Sequence, residues 1–456
     1  MLHGITGREM LMEVQPFHDT NGLLREVPLP DLLLLRQRFP RPRIDDVDRE
    51  VISALKQAAV AEQIQPGQRI AIAVGSRGVA EIATIVRTLV AALRGYGAAP
   101  FIVPAMGSHG GATAEGQQEV LHSLGVTEAY VGAPIISSLE VDVLGTLPNG
   151  LPVHIDRTAN RADGIIVVNR IKPHTDFTAP IESGLSKMLA IGLGKHAGAL
   201  TIHSWGYSGL MQHLPEVAKF TVNHAPILFG LATVENAYDE VAEIVVVPPA
   251  GIGNEQEQTL LERAKAMMPR LPWDELDVLA VDQIGKNISG AGMDPNIMGR
   301  LRHGQKDSAT RITNITVHDI TDESHGNAIG IGHADFTTSH VLHKIDFQSI
   351  YINVITAGVI AMESGKIPLV VPTDREAIAA AIRSSGKPDF SQVSLARIEN
   401  TLRLEYILAN KVALEQIRAG SDVEVISSPM PFPLRSDGSL TPFHHDIVLE
   451  ILKTKI

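Results

Sequence analysis

The stretch Arg69-Ile-Ala-Ile-Ala-Val74 opens after Gly67 as an unbroken apolar run. It reads as a strand buried on both faces, and the segments downstream of it set the fold class. A helix is expected over Ala80–Gly95, with Ile82, Ile85, Val86, Leu89 and Leu93 at helical spacing. A second apolar strand, Pro100–Pro104, leads into Gly107-Ser-His-Gly-Gly-Ala-Thr113, where Thr113 can cap the next helix and Gln117 falls on its first turn. Strand, glycine-containing loop and helix, repeated, specify an α/β domain with a mostly parallel sheet. Further strands are expected at Gly164–Asn169, Ile227–Val234 and Glu243–Val247. Ligands of such sheets bind beyond the carboxyl ends of the strands. That directs attention to Gly75–Val79, to Gly107–Thr113 and to the segment after Asn169.

Outward from this unit, 456 residues are too many for one ordinary core, and two domains are expected. Upstream, Leu23–Leu35 is apolar and proline-punctuated, and Val47–Gln63 reads as one helix. Residues 250–275 hold a charged helix and two prolines, which places the boundary there. A new buried strand begins at Leu276-Asp-Val-Leu-Ala-Val281, and Thr373 caps a helix over Asp374–Ser384. The expected architecture is two α/β domains, over 1–270 and 271–430, with mostly parallel sheets and an active-site cleft between them. Residues 431–456 are proline-rich and then apolar, a candidate to return to the first domain.

The formal charge of −12 disfavours nucleic acid and anionic membrane surfaces as partners, and an anionic ligand would need a local basic pocket. With no cysteine, disulfides and cysteine-ligated metal sites are excluded. Any metal must be held by His, Asp or Glu, or by a group bringing its own ligands. Met1–Gln15 lacks a signal-peptide pattern and no apolar run is long enough to span a bilayer, so a cytoplasmic enzyme is expected.

The densest chemistry lies in Asn169-Arg-Ile-Lys-Pro-His-Thr-Asp176 and in Gly184-Leu-Ser-Lys-Met-Leu-Ala-Ile-Gly-Leu-Gly-Lys-His196, running on to His203. Pro173 favours an extended turn that would project His174 into a cleft; a loop histidine bonded to backbone is the plain alternative. Lys187 either snorkels from a helix face or is desolvated, which would free its amine as a nucleophile. Lys195, between glycine and histidine, reads as more exposed. Gly110 and Gly111 would let backbone approach a ligand beside His109, although a glycine-rich loop alone is a weak signal and fits neither nucleotide fingerprint. Arg77, just past a strand, could grip a carboxylate or phosphate. In the second domain Lys286 offers an anion binder, with Asn287 and Asn296 as hydrogen-bonding groups. His325, His333 and Asp335 match no metal-binding spacing.

Taken in order, Gly75-Ser-Arg77, Gly107–Thr113, Ile171-Lys-Pro-His174, Lys187, His203 and Gly285-Lys286 resemble the nickel-dependent lactate racemase family. The separation of Lys187 from His203, 203 − 187 = 16, is that of the family pattern and favours this pair over Lys195 and His196. The resemblance implies a nickel-pincer nucleotide: a nicotinate-derived mononucleotide with two sulfur-bearing arms, tethered by thioamide to Lys187, its nickel completed by His203. It implies His109 and His174 as acid and base on either side of a small anionic 2-hydroxy acid. Arg77 and Lys286 would hold the substrate carboxylate or cofactor phosphate, with Gly110 and Gly111 lining the cofactor. Cofactor-synthesis proteins would be transient partners.

A cofactor that carries its own sulfur suits a cysteine-free chain. Hydride transfer also avoids a carbanion: at about 1.36 kcal/mol per pKa unit, a ten-unit mismatch would cost histidine roughly 14 kcal/mol. Characterised lactate enzymes carry an acid and a threonine before the arginine and a late tryptophan. Here Gly75 and Ser76 stand in those first places, and the two tryptophans are Trp205 and Trp273. A longer or more polar hydroxy acid therefore competes with lactate. The competing functions are a nicotinamide-dependent dehydrogenase, weakened by the missing dinucleotide fingerprint, and a non-catalytic binder of nucleotide or hydroxy acid.

Overall fold

The apolar runs become strands in the structure, a computed structural model that describes residues 16–17, 19–76, 78–300 and 310–454. Met1–Gln15 lies outside the described residues. In chain order the strands are β1 (Leu33–Gln37), β2 (Arg69–Val74), β3 (Ala99–Pro104), β4 (Val141–Thr146), β5 (Pro152–Asp156), β6 (Gly164–Arg170), β7 (Ile227–Glu235) and β8 (Val241–Val247). They continue as β9 (Glu275–Val281), β10 (Arg311–Val317), β11 (Phe336–Thr338), β12 (Leu369–Val371), β13 (Leu395–Ile398), β14 (Tyr406–Ala409) and β15 (Val423–Val425). One sheet runs β3-β2-β6-β7-β8, parallel except for the β7–β8 pair. The other runs β12-β11-β10-β9-β13-β14-β1-β15, parallel as far as β13 and antiparallel beyond. The protein is thus α/β with two mostly parallel sheets, and β4 and β5 form a separate ribbon.

Alternation within β2 sorts its two faces by size. Ile70, Ile72 and Val74 pack with Ile85, Val86 and Leu89 of the helix Ile82–Gly95. Ala71 and Ala73 face Leu185, Met188, Leu189 and Leu193. The small face lets the segment carrying Lys187 lie close against the sheet. The helix begins two residues later than expected because Glu81 takes φ +57, and the expected helix Val47–Gln63 is broken by Ala59 at φ +50. The two expected caps form: Thr113 Oγ1 accepts from Gly116 N at 3.0 Å, and Thr373 makes a reciprocal capping box with Glu376.

Two segments sit where sequence order does not suggest. Leu33–Gln37 precedes every strand of the first sheet in the chain, yet it runs as β1 between β14 and β15 of the second. The last segment, a candidate to return to the first domain, packs instead in the second sheet's core through Phe443, Ile447 and Val448. Arg397 pins it there. This fully buried guanidinium forks onto Asp282 with two 2.7 Å bonds and donates to the carbonyls of Pro433 and Thr441. Among the described residues no helix is long and apolar enough to cross a membrane.

Removing one partner of a buried charge pair strands the other, at a cost of about 3–5 kcal/mol. Arg397→Ala is therefore expected to lower unfolding free energy by that order in urea titrations and to expose 433–448 to proteolysis. Unchanged stability and protection would show that Arg397 does not hold the segment.

Candidate active site

The carboxyl ends of β2, β3 and β6 converge on one corner. Glycine makes the approach possible: a Cβ on Gly75 would lie 3.3 Å from Met188 Sδ and 3.5 Å from Asn169 Oδ1. A Cβ on Gly107 would lie 2.9 Å from Ile191 Cγ2 and 3.6 Å from Ala199 Cβ. Gly107 N donates to Gly192 O at 3.2 Å, and Asn169 Nδ2 to Gly184 O at 3.0 Å. The strand-end loops are thus sewn to the segment 184–204.

That segment is not one helix. Leu185–Lys187 is α-helical, Met188–Gly192 π-helical, and Lys195–Ser204 α-helical again. π-turns are rare and recur at functional sites. At the junction the chain turns sharply: a Cβ on Gly194 would lie 2.5 Å from Ala190 O, and one on Gly198 3.0 Å from the same oxygen. The turn brings His203 into electrostatic range of Lys187. Burial first, and positive charge on Lys187 second, push the His203 imidazole down to about 4, so at neutral pH it is uncharged. Its Nδ1 is out of water and has no hydrogen-bond partner among the described residues.

His174 stands on the other side of Lys187, its Nε2 2.7 Å from the amine. Buried Glu182 accepts from His174 N at 2.7 Å, and Phe177 lies against the ring with centroids 4.5 Å apart. His174 Nδ1 accepts from Asp176 N at 3.1 Å. Lys187 Nζ is the group that His174 Nε2 faces. Burial raises the Glu182 carboxyl, against the pull of its two backbone donors and of Lys265 at 3.0 Å. The second sheet reaches this corner through Asn296, which donates to His174 O at 2.9 Å.

His109 is exposed and its Nδ1 bonds Ser76 Oγ. Its loop is a left-handed turn, with Gly110, Gly111 and Ala112 at φ +64, +63 and +53. Lys286 N donates to Ser324 Oγ at 2.9 Å, while its Nζ donates to Gly290 O at 3.0 Å within its own loop. The structure thus brings His174, Lys187 and His203 together, with the His109 loop against the same segment. Arg77 lies outside the described residues. His333 is within 3.4 Å of Ser364 Oγ, and Asp335 is committed to Arg300 and Ile315 N. Among the described residues no group of three or more His, Asp or Glu side chains could hold a metal.

Lys195 departs from expectation. It is wholly buried, whereas Lys187 is only half-buried. Its φ of +55 swings the side chain inward, to an ion pair 3.2 Å from equally buried Asp156. Gln117, expected on a helix's first turn, is also fully buried. Glu182 is a site residue that sequence reasoning misses. Its flanks, Ile181 and Ser183, carry no local signal of burial.

The two loop glycines differ in space. A Cβ on Gly110 would lie 2.5 Å from Gln117 N, whereas none of the described residues stands within 4 Å of one on Gly111. Gly111→Ala is expected to cost only the left-handed backbone penalty, about 1–2 kcal/mol. Gly110→Ala adds an overlap of about 1–3 kcal/mol. Equal losses in chemical denaturation would contradict this geometry.

Residues 29–207 match the family model described as the lactate racemase N-terminal domain. No curated protein matches the sequence. A crystal structure of a protein from Thermotoga maritima is similar at 12% identity and TM-score 0.47, over 75% of this chain and 84% of that one. The lactate racemase apoprotein from Thermoanaerobacterium thermosaccharolyticum is similar at 14% identity and TM-score 0.43, over 78% and 86%. The matched span takes in Ser76, His109, His174, Lys187 and His203, and this part of the chain is similar to the lactate racemase N-terminal domain.

Proposed function

We propose that the protein is a racemase or epimerase of a small 2-hydroxy acid, working with a nickel-pincer nucleotide tethered to Lys187. One observation carries this reading: the His203 ring, uncharged at neutral pH, holds a buried nitrogen with no hydrogen-bond partner among the described residues, within electrostatic range of the Lys187 amine. A metal ligand must be a neutral imidazole with a lone pair to give, and His203 meets both conditions. With no cluster of protein ligands among the described residues, a metal held by His203 draws its other ligands from a bound group. Acylation at Lys187 also removes the positive charge that stands near His203. Bound there, the nucleotide would supply the hydride acceptance and return that no side chain of this protein can.

The protein's own share is proton handling and orientation. Once the Lys187 amine is consumed, His174 Nε2 is released from it to face substrate. Ser76 on His109 Nδ1 fixes which nitrogen of that ring is left for proton transfer. One imidazole takes the hydroxyl proton of one enantiomer, and the other protonates the keto oxygen for its mirror image. Lys286, from the second sheet's loop, and Arg77 are the cations proposed for the substrate carboxylate. The site would then lie between the two units, where Asn296 already meets His174.

Protein co-produced with cofactor-synthesis enzymes is expected to carry a mass adduct that Lys187→Ala lacks. It should invert a 2-hydroxy acid with no nicotinamide added and no net redox change. His109→Ala with His174→Ala should keep the adduct and lose inversion by about 100-fold or more. Inversion surviving that double substitution, or an adduct persisting in Lys187→Ala, would sink the assignment.

A further inference from the structure

We infer that Lys195 and Gln117 form a buried tie that sets the position of His109, which makes Lys195 a positioning residue for proton transfer at that imidazole. The inference rests on His109 acting as an acid–base group in the proposed racemase. Lys195, Asp156 and Gln117 are all fully buried. A buried ammonium is tolerated only when its donors are matched, and three acceptors surround it. Nζ donates to Pro104 O at the end of β3, reaches Gln117 Oε1 at 3.3 Å, and pairs with Asp156 Oδ2 at 3.2 Å. Asp156 uses its other oxygen to accept from Ala159 N at 2.7 Å.

The consequence falls on the Gln117 amide. With a cation at its oxygen, the amide has one permitted orientation. Its Nε2 must face away, and there it donates to Gly107 O at 2.9 Å and His109 O at 3.3 Å, the two ends of the turn carrying the imidazole. Flipped, the amide would set its oxygen against two carbonyl oxygens and its N–H groups against an ammonium. An apolar residue of similar volume would fill the space at Lys195 but remove the donor that anchors Gln117 Oε1. Two non-glycine residues in the left-handed region, Lys195 at φ +55 and Ala112 at φ +53, lie at the tie and in the turn it holds. Such strain persists where surrounding bonds over-determine the backbone. The tie also joins the His109 loop to the first residue of the helix that carries His203, so one ammonium references both histidines to β3.

The test compares wild type with Lys195→Met, Gln117→Met and Gln117→Glu. Gln117→Glu keeps an acceptor for Lys195 but removes the donor to the turn. In protein free of cofactor, the His109 ring resonances, assigned by their loss in His109→Asn, are expected to shift or broaden in all three variants. In loaded enzyme kcat should fall about 10-fold to 100-fold, as for a displacement of about 1 Å. KM and the Lys187 adduct should stay as in wild type. Lys195→Met combined with Gln117→Met should be no worse than the poorer single variant, since both break one tie. Unchanged His109 resonances in the variants that fold, or additive losses, would overturn the inference. If Lys195→Met fails to fold, the two Gln117 variants decide it. Wild type lacking both adduct and inversion would instead overturn the proposed function, and the resonance comparison would still report on the tie.

Discussion

The candidate site rests on the turn at Gly194–Lys195. In a continuous helix, sixteen residues would separate Lys187 from His203 by about 24 Å and leave them on nearly opposite faces. In the same helix Ala190 and Gly198 would stand about 12 Å apart. Here a Cβ on Gly198 would sit 3.0 Å from Ala190 O, so the second limb is folded close against the first. Any side chain at Gly194 or Gly198 would meet that carbonyl. The π-helical turn just before it widens the backbone, and the left-handed conformation of Lys195 starts the new direction. His203 comes within electrostatic range of Lys187 only through this geometry.

Buried charge maintains it. Lys195 and Asp156 lie wholly out of water, as does nearly all of Glu257, whose carboxylate accepts from Ser186 N, Ser186 Oγ and Gly253 N. Glu182 does the same for His174 N and Ala179 N. Each acid closes a stretch of backbone that lacks a strand or helix partner, one beside Lys187 and the other at His174. An unmade hydrogen bond on a buried carboxylate costs more than one on a neutral group. Such clamps therefore hold loops with little freedom, as precise chemistry requires of non-repetitive backbone. His203 is the contrast: among the described residues its buried Nδ1 is left open, as are those of His154 and His196.

The two sheets owe their positions to unlike forces. β2 is tightly packed because its alanine face admits the Lys187 segment and its large face admits a helix. The second sheet recruits both chain ends, β1 from upstream and the Phe443–Val448 turn from downstream, around the Arg397–Asp282 pair. Strand order along the chain and strand order in space therefore diverge most at its antiparallel edge.

Much of this was legible in the residues alone. The apolar runs at 69–74, 100–104, 164–169 and 276–281 name strands because only a strand or a buried helix is apolar on every side, and the glycines and caps flanking them settle which. The clustering of His, Lys and Gly just past those runs marked the candidate site, because parallel sheets expose their carboxyl ends to ligands. Lys195 was misread because exposure is not a local property. Flanking residues cannot report that an ammonium points at Pro104 O and Asp156, contributed by strands 91 and 39 residues away (195 − 104 and 195 − 156). Residue pattern was enough for most strands, the class of fold and the neighbourhood of the candidate site. Folding alone set which histidine nitrogens are satisfied, which lysine is buried and how Lys187 meets His203, because those depend on partners distant in the chain that come together only in the folded molecule.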